Sequence, residues 1–211
     1  MTYIDMERWP RKAHFDLYGG LAQPHFNLCA PLNVTALVPW CKARQVSFFT
    51  AVLYAVTRAA NAIPELRYRL RPEGVIEHKV VHPSFTVLGE NGLFGFCVVE
   101  YTDDWPLFAA RTTEGIAAAR ANLSLEDDPR DDMLFITSIP WVSFTSMQHP
   151  VAGPSDSFPR MAWGRYTEEN GAIKMPLSVH AHHALVDGLH VGNYFTALQA
   201  AFEAPETYYG E

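Results

Sequence analysis

Four of the chain's nine histidines fall within residues 174–190, KMPLSVHAHHALVDGLH, together with Asp187 and Gly188. If the first part of this run is a strand, its side chains alternate between two faces. Met175, Leu177, Val179, Ala181 and His183 then share one face, and Lys174, Pro176, Ser178, His180 and His182 the other. His183 thus closes an otherwise apolar row, where a neutral imidazole is able to accept a proton near pH 7. Gly188 permits the sharp backbone change that must follow, and Asp187 is placed to cap a helix or hold a cation. Three readings stay open on these residues alone: a general base, a hydrogen-bonded core histidine, and a metal site of histidines and an aspartate. Alternation speaks against the metal, because it splits the histidines between faces and no second carboxylate or cysteine joins them.

A base needs a rigid support, and the flanking sequence offers alternating helices and strands. Residues 47–62 (SFFTAVLYAVTRAANA) form the clearest helix, with Ser47 as cap and Pro64 as stop. Residues 104–122 form a second, with Pro106 in its first turn. A third follows Gly188, its apolar face made by Val191, Tyr194, Phe195 and Leu198. Strands are expected over residues 85–88, 93–99, 134–138, 141–146, 161–166 and 174–182. The pattern predicts an α+β fold, a two-layer sandwich of helices on a mixed β-sheet. One domain over residues 1–211 is expected. The acidic cluster of Glu126, Asp127, Asp128, Asp131 and Asp132 reads as a solvated loop within that domain.

Composition excludes several classes of function. With 48% hydrophobic and 18% charged residues the chain is an ordinary globular one, and disorder is excluded. A net charge of −7 without a basic run argues against a nucleic-acid partner. No apolar stretch approaches a membrane span, and residues 1–11 do not read as a signal peptide. Cys29, Cys41 and Cys97 are odd in number and far apart, which reads as buried thiols in a reducing, cytoplasmic setting.

The run His182–His183–Ala184–Leu185–Val186–Asp187–Gly188 resembles the H-H-x-x-x-D-G motif of CoA-dependent acyltransferases. That superfamily includes chloramphenicol acetyltransferases, dihydrolipoamide acyltransferases and peptide-synthetase condensation domains. Trp9, Arg11, Lys12, His14 and Phe15 resemble the chloramphenicol acetyltransferase pattern W-x-R-[KR]-x-H-F. Residues 140–146, PWVSFTS, are similar to its P-W-V-x-F-x-S stretch, and Pro64–Glu65–Leu66–Arg67 and Met175–Pro176–Leu177 fall in the expected order. The likeness spans nearly the whole chain, and its length is that of the free-standing antibiotic enzyme, type A-like.

The resemblance implies a chloramphenicol acetyltransferase-like fold and an O-acetyltransferase in which His183 is the base. The acceptor hydroxyl then attacks acetyl-CoA directly, through a tetrahedral intermediate and without an acyl-enzyme. Ser146 matches the serine that hydrogen-bonds the oxyanion, and Asp187 and Arg11 match a buried pair that supports the site. Tyr18, Phe26 and Phe94 match acceptor-pocket positions, and Arg165 and Tyr166 a basic–aromatic pair at the CoA nucleotide. Acetyl-CoA is implied as co-substrate, with no tightly bound cofactor and no metal. The family is a homotrimer with active sites between subunits, so the implied partner is a second copy of the chain beside a small-molecule acceptor. Departures from the family's common residues bear on the acceptor: His180 stands where glutamine is usual, and Leu189, Ala162, Pro24 and Leu17 also differ. Chloramphenicol, another hydroxyl compound, and a non-catalytic ligand- or metal-binding relative are therefore the expectations carried forward.

Overall fold

The computed structural model describes residues 1–126 and 128–210; Asp127, in the acidic cluster, and Glu211 lie outside the described residues. In chain order the elements are β1 (Thr2–Tyr3), α1 (Lys12–Gly19), β2 (His25–Asn33), α2 (Leu37–Ala43), α3 (Phe48–Asn61), β3 (Tyr68–Arg71), β4 (Gly74–Glu77) and β5 (His82–Leu88). They continue as β6 (Phe94–Val98), α4 (Trp105–Ala121), β7 (Met133–Ile139), β8 (Arg160–Gly164), β9 (Thr167–Glu169), β10 (Ala172–His182), α5 (Gly188–Glu203) and α6 (Pro205–Tyr209). A 3₁₀ turn over Pro64–Arg67 follows α3.

The main sheet runs β2-β10-β8-β7-β5-β6, with β9 also paired to β10. It is mixed: β5–β7 and β7–β8 are parallel, the other pairs antiparallel. Helices α3, α4 and α5 pack on it, which gives the expected α+β sandwich. A small sheet, β1-β4-β3, lies apart from the main path.

Helix α3 is the centre of this arrangement. Its cap is Ser47, whose hydroxyl accepts the Thr50 N–H at 3.3 Å, and residues from Thr50 to Thr57 are buried on every side. A helix apolar all round belongs inside a protein, and this one does. Helix α4 is capped by Asp104, which accepts the Leu107 N–H at 2.9 Å. One hydrophobic cluster, from Leu32 to Tyr209, joins these helices to Met175, Leu177, Val179 and Ala181 of β10.

The structure corrects the sequence reading in several places. β2 was not among the expected strands, and it contains Pro31 although proline is disfavoured inside a sheet. The strand forms because it lies at the sheet edge, with Pro31 opposite Pro176 of β10. Neither proline forfeits a ladder bond, since the other neighbours of β10 pair with residues 172–174 and 177–180 and leave Pro176 free. Residues 141–146 are not a strand. They begin the return connection that parallel β7 and β8 require, and β8 itself stops at Gly164. There the Arg165 N–H donates to Val142 O at 2.9 Å. A Cβ at Gly164 would stand 2.7 Å from that carbonyl oxygen. The loop therefore lies against the backbone of β8 instead of pairing as a strand. The acidic cluster is also less solvated than expected, since Asp131 takes a two-pronged bond from Arg71 at 2.7 and 2.8 Å.

Candidate active site

β10 delivers His182 and His183 to the sheet end, where β2 and α1 meet it. The His183 N–H donates to Pro24 O at 2.7 Å, which fixes its backbone against the residue before β2. Its ring is held between two aromatics. Tyr18 of α1 stacks flat on it, centroids 3.9 Å apart and 4° from parallel, and Phe26 of β2 lies at 4.7 Å. His183 is half-buried. Its Nδ1 is enclosed without a hydrogen-bond partner, which leaves Nε2 as the nitrogen able to meet a substrate.

The two histidines of the pair have different parts. His182 is 2% exposed. Its Nε2 is 2.8 Å from Pro154 O and its Nδ1 accepts the Ala184 N–H at 3.2 Å. Both bonds are satisfied by one neutral tautomer, with the proton on Nε2. Burial pushes its pKa below the ordinary histidine value. His182 pins the turn, whose Leu185 and Val186 N–H groups both donate to its carbonyl at 3.0 Å.

The turn ends in a cap. Asp187 accepts the Leu189 N–H at 2.9 Å and donates its own N–H to His190 Nδ1 at 3.1 Å. Its other carboxylate oxygen is bonded to Arg11, the residue before α1. This pair ties α1, which has no buried residue of its own, to the start of α5. Burial raises the Asp187 pKa. The bonds from Arg11 and Leu189 and the charges of His190 and Arg11 outweigh it, so the net shift is downward. The carboxylate thus stays ionised at neutral pH.

Structure and sequence reading part company over the second row of β10. Expected to be a polar face, Ser178, His180 and His182 are buried beneath the connection between β7 and β8. Ser178 Oγ donates to Met147 O at 3.1 Å, and His149 lies over His180 with ring centroids 6.1 Å apart. His25 meets both His180 and His182 edge-on at 5.4 and 5.0 Å, and its Nε2 is 2.6 Å from Asp156 O. Asp156 in turn pairs with Arg160. No three histidine, cysteine or carboxylate side chains among the described residues are placed to hold a metal ion.

Burial pushes His149 down to about 4, helped by the charge of Arg160, and His180 to about 4, helped by His25, His149 and Arg160. The native protein therefore binds fewer protons than the unfolded chain between pH 6.5 and 4, so stability must fall as pH falls through that window. Expected is a urea midpoint that is constant above pH 6.5 and drops by roughly 1 M or more by pH 4.5. The ion-paired Asp131 and Asp156 titrate below the ordinary carboxylate value, outside that range. A midpoint unchanged between pH 6.5 and 4.5 would contradict the burial of this cluster.

A cavity of about 980 Å³ opens beside the C-terminal ends of β5, β7 and β8. Its walls are mostly apolar, with aromatics that include Phe94, Phe96, Phe135, Trp141, Trp163 and Tyr166, and Arg120, Arg160, Arg165 and His149 stand among them. Of the residues singled out in the sequence, His183, Tyr18, Phe26, Arg11 and Asp187 come together at the end of β10. Phe94, Arg165 and Tyr166 line the cavity, whose walls include none of those five. Ser146 is exposed in the loop before Met147 and belongs to neither group. One chain thus carries the candidate base His183 and the cavity in separate places.

A family model described as chloramphenicol acetyltransferase matches residues 1–199. The chain belongs to the chloramphenicol acetyltransferase family. A chloramphenicol acetyltransferase of Klebsiella sp is 32% identical over 203 residues, covering 94% of this chain and 92% of that one. Chloramphenicol acetyltransferase 2 of Haemophilus influenzae is 29% identical over 202 residues, covering 94% and 95%. A solved chloramphenicol acetyltransferase superposes with a TM-score of 0.85 at 26% identity, over 95% of this chain and 99% of that one. A dihydrolipoamide acetyltransferase of Azotobacter vinelandii shares the fold alone, with a TM-score of 0.71 at 18% identity over 93% and 88%.

Within this chloramphenicol acetyltransferase-family chain, the sequence reading did not find His25, His149, Asp156 and Arg160. His149, Asp156 and Arg160 lie in one short stretch far from His25, and the two parts meet only because β2 pairs with β10 and the β7–β8 connection folds over both. The one signal available was His180 in place of the usual glutamine, which marks a changed environment at that strand.

Proposed function

We propose that this chain is an O-acetyltransferase that moves the acetyl group of acetyl-CoA to a hydroxyl of chloramphenicol. The observation that carries the reading is His183, wedged between Tyr18 and Phe26 with Nδ1 enclosed, in a chain of this family. His183 Nε2 takes the proton of the acceptor hydroxyl as its oxygen attacks the thioester carbonyl carbon. The tetrahedral oxyanion accepts a hydrogen bond from the Ser146 hydroxyl, a contact of a kind that lowers the barrier by about 2.7–4 kcal/mol. Collapse breaks the C–S bond, the CoA thiolate recovers the proton from His183, and the acetyl ester leaves.

Asp187 and Arg11 hold the turn on which His183 stands, Tyr18, Phe26 and Phe94 bind the acceptor, and Arg165 and Tyr166 receive the nucleotide end of CoA. Arginine supplies donors for phosphate and tyrosine a stacking face. Acetyl-CoA is a co-substrate, and no cofactor stays bound.

The separation of base and cavity within one chain supports a homotrimer, in which the His183 of one subunit faces the cavity of its neighbour. Trp141, Val142 and Phe94, all exposed hydrophobics near the cavity, supply apolar surface for that contact. We read residues 1–211 as one domain, supported by the single hydrophobic cluster that spans it. No helix among the described residues is long and apolar enough to cross a membrane. The three free cysteines suit the cytoplasm.

The test is release of free CoA thiol from acetyl-CoA, with and without chloramphenicol. Chloramphenicol-dependent release from a species that sediments as a trimer is expected. Release with another alcohol but not with chloramphenicol would replace the acceptor, and silence with every alcohol would remove the activity. A different acceptor has one observation in its favour, the charged and titratable side chains in the cavity wall.

A further inference from the structure

Arg160 opens β8 and is 8% exposed, yet it lines a largely apolar cavity rich in aromatic rings. Burying a guanidinium needs compensation, and Asp156 supplies it. Nη2 donates to one carboxylate oxygen at 2.6 Å, and Nη1 donates to the other and to Phe158 O, both at 3.0 Å. The guanidinium also lies 5.2 Å from the centre of the Phe135 ring. A guanidinium has five N–H donors, and these three bonds leave two without a protein acceptor. Asp156 has nothing left to offer a ligand. Its oxygens also accept the Ala152 and Phe158 N–H groups at 2.9 and 3.3 Å. Beside it in the wall stands His149, whose Nε2 is enclosed with no partner.

The charge balance selects the ligand. Arg160 and Asp156 cancel, and burial keeps His149 neutral. The patch is therefore rich in donors but carries no net charge. Arg160 itself has no charge to spare for a carboxylate, the other cations of the wall being Arg120 and Arg165, whereas a neutral oxygen takes the spare N–H groups of Arg160 at little cost.

We propose that Arg160 and His149 form a specificity subsite in the cavity wall. It holds a neutral, electron-rich oxygen of an aromatic alcohol, such as a nitro or carbonyl oxygen, by hydrogen bonds from the unspent N–H groups of Arg160. That this alcohol is the acetyl acceptor rests on the acetyl-transfer reading; the binding preference does not.

The experiment is titration calorimetry of the full chain with chloramphenicol and with the analogue carrying hydrogen in place of its nitro group, alongside thiol release with both. The wild type is expected to bind the nitro compound about 10- to 100-fold more tightly, the range for hydrogen bonds to a charged group. Arg160→Lys keeps the charge opposite Asp156 but loses the fork of donors, and it is expected to erase most of that preference. His149→Leu, which leaves the ion pair untouched, is expected to reduce it in part.

Equal affinities for the two compounds in the wild type overturn the subsite, as does a preference that survives Arg160→Lys. Binding of neither compound overturns it too. A preference lost in the variants while the wild type shows no acetyl transfer keeps the subsite and removes the catalytic reading. Acetyl transfer to both compounds with no preference does the reverse.

Discussion

His183→Ala abolishes acceptor-dependent thiol release, lowering kcat by about 10²–10⁴-fold, the usual contribution of a positioned general base. That loss corresponds to about 3–5 kcal/mol of barrier. It falls on kcat with KM for acetyl-CoA nearly unchanged, because the imidazole acts on the reacting proton and not on the nucleotide. His183→Gln separates chemistry from packing, since glutamine keeps volume and polarity in the gap between Tyr18 and Phe26 but is no base at neutral pH. Both variants are expected to be inactive and to unfold near the wild-type urea midpoint. Turnover retained by either one would place the base elsewhere. His182, whose ring nitrogens are both engaged in the turn, is not the alternative.

Asp187→Ala has the second large effect, and it is asymmetric. The Arg11 side chain is 13% exposed, and its Nε and Nη2 are already enclosed without partners. Removing Asp187 leaves that guanidinium with no carboxylate at all, costing about 3 kcal/mol of stability by analogy with broken buried pairs. Arg11→Met is milder. Asp187 is 29% exposed and keeps the Leu189 N–H, so water can reach the carboxylate and the cost is about 1 kcal/mol. Both variants loosen the turn behind His183, and kcat is expected to fall roughly 10- to 100-fold, as for a small misplacement of a catalytic group. Urea unfolding of the two variants side by side decides the matter. Equal destabilisation would mean that the pair is solvated and that neither partner is stranded.

The acid sensitivity of the His149–His180 cluster and the subsite at Arg160 concern one region, the underside of β10. If both hold, the feature that narrows the acceptor also sets a lower pH limit on the fold. The physical link is burial: neutral imidazoles packed against a paired arginine are stable only while they stay neutral.

The sequence by itself determined the motif, the three long helices α3, α4 and α5 and most of the main sheet, but not α1, α2 or α6. Ser47, Asp104 and Asp187 cap where side-chain chemistry requires, and the apolar row that ends in His183 lies in the core as alternation predicts. These are local matters of capping, period and turn residues, written in consecutive positions. Tertiary structure decided what depends on distant partners. Pro31 sits in a strand because β2 is an edge opposite Pro176, and residues 141–146 become a loop because β8 must return parallel to β7. His180 and His182 are core residues because that loop covers them, and alternation separates the two faces of a strand without saying what lies over either. The separation of the candidate base His183 from the cavity has the same origin. Spacing along a chain places side chains on a face, while only packing fixes which faces meet.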